Sequence, residues 1–154
     1  MSFYPGMARV GYDPGAILKG LHALIEEAGY RNFVIDRRGG GIETCSTVTA
    51  TINEMLLQSH QGVIRLFPDW PEGKDARFDK LRAYGAFLVS AEMKSGQIQG
   101  VRIVSERGQA CTVRNPWPGK KVQLVRTGKL AEELVGNLAK FTTGIGETFE
   151  LKTL

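Results

Sequence analysis

Residues 86–105, AFLVSAEMKSGQIQGVRIVS, carry the pattern that decides the fold of this chain. Side chains alternate along the first half with the period of two that is typical of a β-strand, and one of the two faces carries Phe87, Val89, Ala91 and Met93. Lys94-Ser95-Gly96 has the composition of a tight turn, and the segment after it places on one face Val101, Ile103 and Ser105. Two alternating segments joined by such a turn predict an antiparallel β-hairpin.

Shorter segments with the same alternation recur on both sides of this hairpin. They lie at residues 63–67, 111–113, 122–124 and 149–151. Loops rich in Pro, Gly or charged residues separate them at intervals of about 8–12 residues, which is the spacing of an antiparallel sandwich or barrel. Residues 61–154 are therefore predicted to form an antiparallel β-sandwich.

One part of this half fits two structures. Leu130, Leu134 and Leu138 have helical spacing, whereas Gly136-Asn137 favours two short strands around a turn. The strands are the favoured interpretation of residues 129–141, and the helix stays an alternative.

The first sixty residues have the period of an α-helix instead. Asp13-Pro14-Gly15 is a helix start, because Asp accepts hydrogen bonds from the first free amides and Pro is tolerated at the first helical position. Apolar residues then recur at three- and four-residue spacing as far as Gly29, in a stripe of Ile17, Leu18, Leu21, Leu24, Ile25 and Ala28. A second helix is predicted over residues 44–59.

Two helices with one apolar stripe each do not close a core, so they need other helices or a sheet to lie on. The sequence thus predicts an α+β chain in two parts. A helical segment with two helices spans residues 1–60, and a β-sandwich domain spans residues 61–154.

The composition is that of an ordinary globular protein. Of its 154 residues, 42% are hydrophobic and 19 are glycines, which favour tight turns over a helical bundle. The net charge of +4 comes from singly scattered basic residues without a recognition-helix or RNA-binding signature, so no nucleic-acid partner is expected. The sequence has no apolar run of about 18 residues, so no membrane span is expected. Its first residues lack the pattern of a signal peptide, and the localisation stays open.

Neither a cofactor nor a metal site is expected. Gly39-Gly40-Gly41 is followed by Ile42-Glu43, which matches neither a P-loop nor a dinucleotide fingerprint. Cys45 and Cys111 have no paired histidines nearby to complete a zinc site, and both are expected to be reduced and buried.

A few side chains qualify as functional candidates. Three glycines before Glu43 let a ligand approach the backbone closely, and a helix start stabilises the ionised carboxylate, so Glu43 would act as a base or acceptor. His60 stands where helix gives way to strand, and a structural role at the helix end is its alternative. Trp70 and Trp117, with Tyr84, lie in or near loops of the β half. They fit a surface on which sugar rings stack. Equally, they fit loop plugs, that is, loop side chains that pack against the core.

Several stretches resemble glycoside hydrolase family 95. Residues 41–46 and the run Glu54-Met55-Leu56-Leu57-Gln58-Ser59 within residues 52–60 look like the end of that family's catalytic domain. The stretch that follows, residues 62–71, is similar to the family's crossing into a C-terminal β domain. Two later segments, residues 81–87 and 105–108, resemble parts of that β domain. The likeness covers most of residues 35–115.

The resemblance implies an inverting α-L-fucosidase or α-L-galactosidase architecture, with an (α/α)6 barrel followed by a C-terminal β-sandwich. In that family a Glu far upstream is the general acid, and an Asp eleven residues before the Glu-Met-Leu-Leu-Gln-Ser run activates the water. The same count from Glu54 reaches Glu43. The resemblance therefore assigns Glu43 the activating position and implies that full-length relatives are periplasmic or extracellular.

This chain departs from the family's usual Asp-Gly/Ala-Asn-Phe-Gly-Gly, since it has Glu43-Thr44-Cys45-Ser46-Thr47-Val48. One extra methylene moves the carboxylate by roughly 1 Å, and a misplacement of that order can lower a rate about a hundredfold. The departure indicates either a divergent subfamily or a degraded site.

The functional hypothesis is a C-terminal portion of a family 95-like hydrolase, inactive as this chain alone. Its expected partners are carbohydrate and either an upstream catalytic chain or a second copy bound through the helical segment. The residues expected to bind substrate are His60, Trp70 and Trp117. The alternative hypothesis is a stand-alone carbohydrate-binding module in which Trp70, Trp117 and Tyr84 form the sugar-binding platform.

Overall fold

The computed structural model describes residues 3–29 and 42–153, with the backbone alone described at residues 28 and 42–45. Helices occupy the N-terminal part of this range and strands the rest, which confirms the α+β class. The residues divide into two compact units. The helical unit comprises residues 1–56 and 68–71, and the β unit comprises residues 57–67 and 72–154. The domain boundary predicted at residue 60 stays a prediction.

Three helices are present among the described residues: α1 (Phe3–Arg9), α2 (Pro14–Ala28) and α3 (Ile42–Leu56). The predicted start of α2 is confirmed, because the Asp13 side chain caps it by accepting a hydrogen bond of 2.8 Å from the Gly15 amide. Helix α3 ends at Leu56 rather than near Ser59, since the next two residues pair as a strand.

The sequence did not predict α1, and this helix changes the packing of the other two. It contacts both α2 and α3. The apolar stripes meet in a small core whose fully buried members are Ala8, Ile17, Leu21 and Met55. Helix α1 thus supplies one of the further elements that the two predicted helices need to lie on.

The β unit contains ten strands within the described residues. Their bounds are β1 (Leu57–Gln58), β2 (Arg65–Leu66), β3 (Ala76–Ala83), β4 (Phe87–Lys94), β5 (Gln97–Ser105), β6 (Cys111–Arg114), β7 (Val122–Arg126), β8 (Lys129–Leu134), β9 (Leu138–Phe141) and β10 (Thr148–Thr153). Six of them form one antiparallel sheet in the order β3-β4-β5-β10-β7-β8. The remaining strands form the two-stranded sheets β1-β2 and β6-β9.

The predicted hairpin forms β4 and β5. Its two-residue turn places Ser95 at φ 49° and Gly96 at φ 74°, which is the left-handed turn that matches the twist of antiparallel strands. The Asp75 carboxylate accepts a hydrogen bond of 2.8 Å from the Ser95 amide and so supports the strained residue.

The two short strands favoured for residues 129–141 are confirmed as β8 and β9. They do not pair with each other, however. Strand β8 pairs with β7 at the edge of the large sheet, whereas β9 pairs with β6 in a separate sheet.

The core of the β unit lies between the large sheet and the β6-β9 sheet. Phe149 of β10 is fully buried and packs on Phe141 of β9, with 5.1 Å between the ring centroids. Burial of Cys111 in β6 raises the pKa of its thiol to about 12. Among the described residues this cysteine forms no disulfide, and it is buried, as predicted. The side chain of Cys45 lies outside the described residues.

No helix in residues 3–29 or 42–153 is long and apolar enough to cross a membrane.

Candidate functional site

Glu43 is the second residue of α3, but its side chain and the three preceding glycines lie outside the described residues. Its assignment as the water-activating carboxylate therefore stays a prediction.

His60 lies exposed in the loop between β1 and β2. The hydroxyl of the preceding residue, Ser59, accepts a hydrogen bond of 3.0 Å from the Tyr84 amide in the turn between β3 and β4. This hydrogen bond joins the loop that carries the His60 imidazole to the turn that carries the Tyr84 ring, which is 71% exposed. A sugar-contacting role for His60 stays a prediction.

The two tryptophans belong to different units. Trp70 is half-buried and packs against the core of the helical unit. Trp117 in the β unit is only 8% exposed, and its indole N–H donates a hydrogen bond of 2.9 Å to the carbonyl oxygen of Ile98. Both environments fit the loop-plug interpretation, and sugar binding by either ring stays a prediction.

Trp117 is held in place from its own loop as well. The Asn115 side chain accepts a hydrogen bond of 2.9 Å from the Trp117 amide. The amide group of the same side chain donates to the carbonyl oxygens of Lys120 and Gly136, at 2.8 and 3.0 Å. The loop between β6 and β7 is thereby closed around a buried aromatic ring.

A polar groove on the outer face of the large sheet was missed by the sequence analysis. It has a volume of about 480 Å³ and crosses β3, β4, β5 and β10, and half of the residues that line it are charged. The volume lies within the range of about 300–1,000 Å³ that is common for small-molecule sites. Polar residues at alternate positions, such as Ser90 and Glu92, are the feature of the sequence that could have indicated the groove. The same alternation is found on any solvated sheet face, so it does not distinguish a binding groove.

Irregular strand pairing shapes this groove. The β3-β4 register shifts between Phe78 and Leu81, where Lys80 has φ 55°, and the β4-β5 register shifts between Ser90 and Glu92. Bulges of this kind bend a strand and redirect its side chains, and they are often found beside functional sites.

Asp69 is a buried carboxylate of the helical unit, within the stretch 62–71 that resembles the family crossing. Its side chain is 7% exposed, and its Oδ2 atom has no hydrogen-bond partner among the described residues. Burial raises the pKa of Asp69 above its ordinary value of 3.8, and the negative charge of Asp13 raises it further. The ionised form is therefore disfavoured in the folded state.

This burial predicts a specific pH dependence. Between the ordinary pKa and the raised one, the folded protein holds a proton that the unfolded chain has released, so stability falls as the pH rises above about 4. Asp69→Asn removes the charge at nearly constant shape and is expected to raise the free energy of unfolding at pH 7 by about 1 kcal/mol. Urea unfolding from pH 4 to pH 7 measures both effects.

Asp13→Asn is the matched control, because asparagine still caps α2 but removes the repelling charge. A smaller gain than that of Asp69→Asn is expected at pH 7. A loss of stability in Asp69→Asn at that pH would contradict the prediction.

Comparison with known proteins identifies the β unit. A family model for the C-terminal domain of glycoside hydrolase family 95 matches residues 58–151, which is more than half of the chain. The chain belongs to glycoside hydrolase family 95. The resemblance seen in the sequence is thus confirmed, and the match runs from β1 to β10 of this family 95 chain. No curated protein matches it.

Proposed function

We propose that this family 95 chain is the C-terminal portion of a glycoside hydrolase that acts on α-L-fucosides or related glycosides, and that the chain alone does not hydrolyse them. The family match carries this proposal, because it coincides with the β unit and is a match to the C-terminal domain. The substrate class comes from the sequence resemblance of residues 41–60.

The chemistry supports inactivity of the isolated chain. Inverting hydrolysis needs one carboxylic acid to protonate the leaving group and one carboxylate to activate water, typically about 6.5–9.5 Å apart. The resemblance assigns only the second role, to Glu43, and assigns the acid to a segment far upstream. On this proposal an upstream catalytic chain supplies the acid, and the helical unit contributes the carboxylate.

The helical unit offers a surface for such a partner. Large apolar side chains remain exposed on and around α1 and α2, namely Phe3, Val10, Tyr12 and Ile25. Exposed apolar patches of soluble proteins often mark association sites. An upstream catalytic chain is the partner proposed here, and a second copy of this chain is the alternative that light scattering would reveal.

A hydrolysis assay tests the proposal. The full chain, incubated with aryl α-L-fucoside and aryl α-L-galactoside, is expected to release no aryl alcohol above the rate of a buffer blank. Glu43→Gln serves as the matched control, because it keeps the size of the side chain and removes its basicity. Turnover by the chain that is lost in Glu43→Gln would overturn the proposed inactivity.

A further inference from the structure

We propose that the groove on the outer face of the large sheet binds a neutral oligosaccharide through its charged side chains. No candidate from the sequence analysis lines this groove. The ligand class rests on the proposed carbohydrate function, whereas the site and its contacts are derived from the β unit alone.

The groove is built on a continuous row of polar side chains. Ser90 of β4 pairs in register with Arg102 of β5, and Arg102 pairs with Glu150 of β10. Asp79 of β3 extends the row, since it accepts a hydrogen bond of 2.6 Å from the Ser90 hydroxyl. Neighbouring strands lie about 4.8 Å apart, so a row over four strands spans roughly 14 Å, which suits an extended ligand.

Each carboxylate of the groove is oriented through one of its two oxygens. The Oδ1 atom of Asp79 accepts from both Ser90 and Arg102. The Oε2 atom of Glu92 accepts from the side-chain Nε2 of Gln99, and the Oε2 atom of Glu150 contacts the Lys152 ammonium. The second oxygen of each carboxylate has no partner among the described residues. Three oriented acceptors are thus available to hydroxyl groups, and charge-assisted hydrogen bonds of this kind are the stronger ones.

The bulge in β3 holds the first of these acceptors. The Lys80 amide donates a hydrogen bond of 3.0 Å to the Ser90 hydroxyl, which in turn donates to Asp79. This hydrogen bond, with the nearby charges of Lys80, Arg102 and Arg77, lowers the pKa of Asp79. The carboxylate is therefore ionised at neutral pH and oriented before a ligand arrives.

Charge balance selects the class of ligand. Three cations, Arg77, Arg102 and Lys152, face three carboxylates in the groove. The carboxylates would repel an anion, and the guanidinium and ammonium groups would repel a cation. Binding of a charged ligand is therefore not favoured over hydration of the groove by water. A neutral polyhydroxyl ligand can donate to the carboxylates and accept from the cations at the same time.

Binding is tested on the full chain by amide chemical-shift mapping. Fucosyllactose and lactose serve as neutral probes, and sialyllactose is the anionic counterpart. Saturable shifts are expected for amides of β3, β4, β5 and β10 with a neutral probe. Arg77→Ala and Glu150→Gln are each expected to weaken that binding about tenfold, because each removes a charge-assisted hydrogen bond.

Glu132→Gln is the matched control, because Glu132 is exposed on β8 outside the groove, and unchanged binding is expected. Absence of saturable shifts at millimolar probe would overturn the proposal, as would shifts confined to other strands or tighter binding of sialyllactose than of lactose. Binding requires no turnover, so the result is independent of the hydrolysis assay.

Discussion

Replacing Phe149 by alanine is expected to lower the free energy of unfolding of the β unit by about 3–5 kcal/mol, one of the two largest effects that we predict. The side chain is fully buried in β10, which pairs with β5 on one side and with β7 on the other. Its ring packs on Phe141, and the guanidinium of Arg126 lies 5.0 Å from its centroid. Truncation therefore opens a cavity in the core against the middle of the large sheet, where neighbouring strands cannot collapse without losing register.

Urea unfolding followed by circular dichroism measures this loss. Phe149→Leu keeps most of the apolar volume and removes only the ring contacts, so a loss of about 1 kcal/mol is expected from that variant. Tyr84→Ala is the surface control, because that ring is 71% exposed. If Phe149→Ala shifts the unfolding midpoint no more than Tyr84→Ala does, the assignment of Phe149 to the core is wrong.

Replacing Trp117 by alanine is expected to cost about 3–5 kcal/mol as well, although the side chain belongs to a loop. The substitution removes a buried ring and leaves the Ile98 carbonyl oxygen without its donor. Trp117→Phe refills most of the space but not the hydrogen bond, so an intermediate loss of about 1–3 kcal/mol is expected. Thermal or urea unfolding of the three proteins orders these losses.

Fluorescence separates this structural role from sugar stacking. In a Trp70→Phe background the emission comes from Trp117 alone, and it is expected to be blue-shifted and insensitive to fucosyllactose. Saturable quenching of that emission would show that the ring is reached by sugar, and it would favour the stand-alone binding module.

The sequence predicted the environments of Phe149 and Trp117 to different extents. The alternation around residues 149–151 predicted a strand, because a period of two is a local pattern that places Phe149 and Leu151 on the same face. Trp117 follows Asn115-Pro116 in a loop that has no hydrophobic periodicity. An exposed ring and a ring packed against the core were therefore equally compatible with the sequence. Only contact with Ile98, nineteen residues away on β5, decided between them.

In the helical unit, too, the sequence predicted the element with local signals and missed the one that depends on tertiary packing. The spacing of Ile17 and Leu21 and the cap at Asp13 predicted α2, since these signals are local. Helix α1 has only seven residues, including Pro5 and Gly6, and helices that short are marginal in isolation. Packing of Tyr4, Met7 and Ala8 into the helical core stabilises it, and that contribution has no local signature.

By itself the sequence determined the α+β class, the hairpin of residues 86–105 and the family, because periodicity, turn composition and short motifs are properties of neighbouring residues. Tertiary structure alone decided that β8 and β9 join different sheets, that Trp117 is buried, and that Asp79, Ser90, Arg102 and Glu150 form one row. These facts depend on strand order and register across the sheet, which bring into one row residues as far apart in sequence as Asp79 and Glu150. Local patterns do not encode such pairings, because the loops between strands leave several orders open.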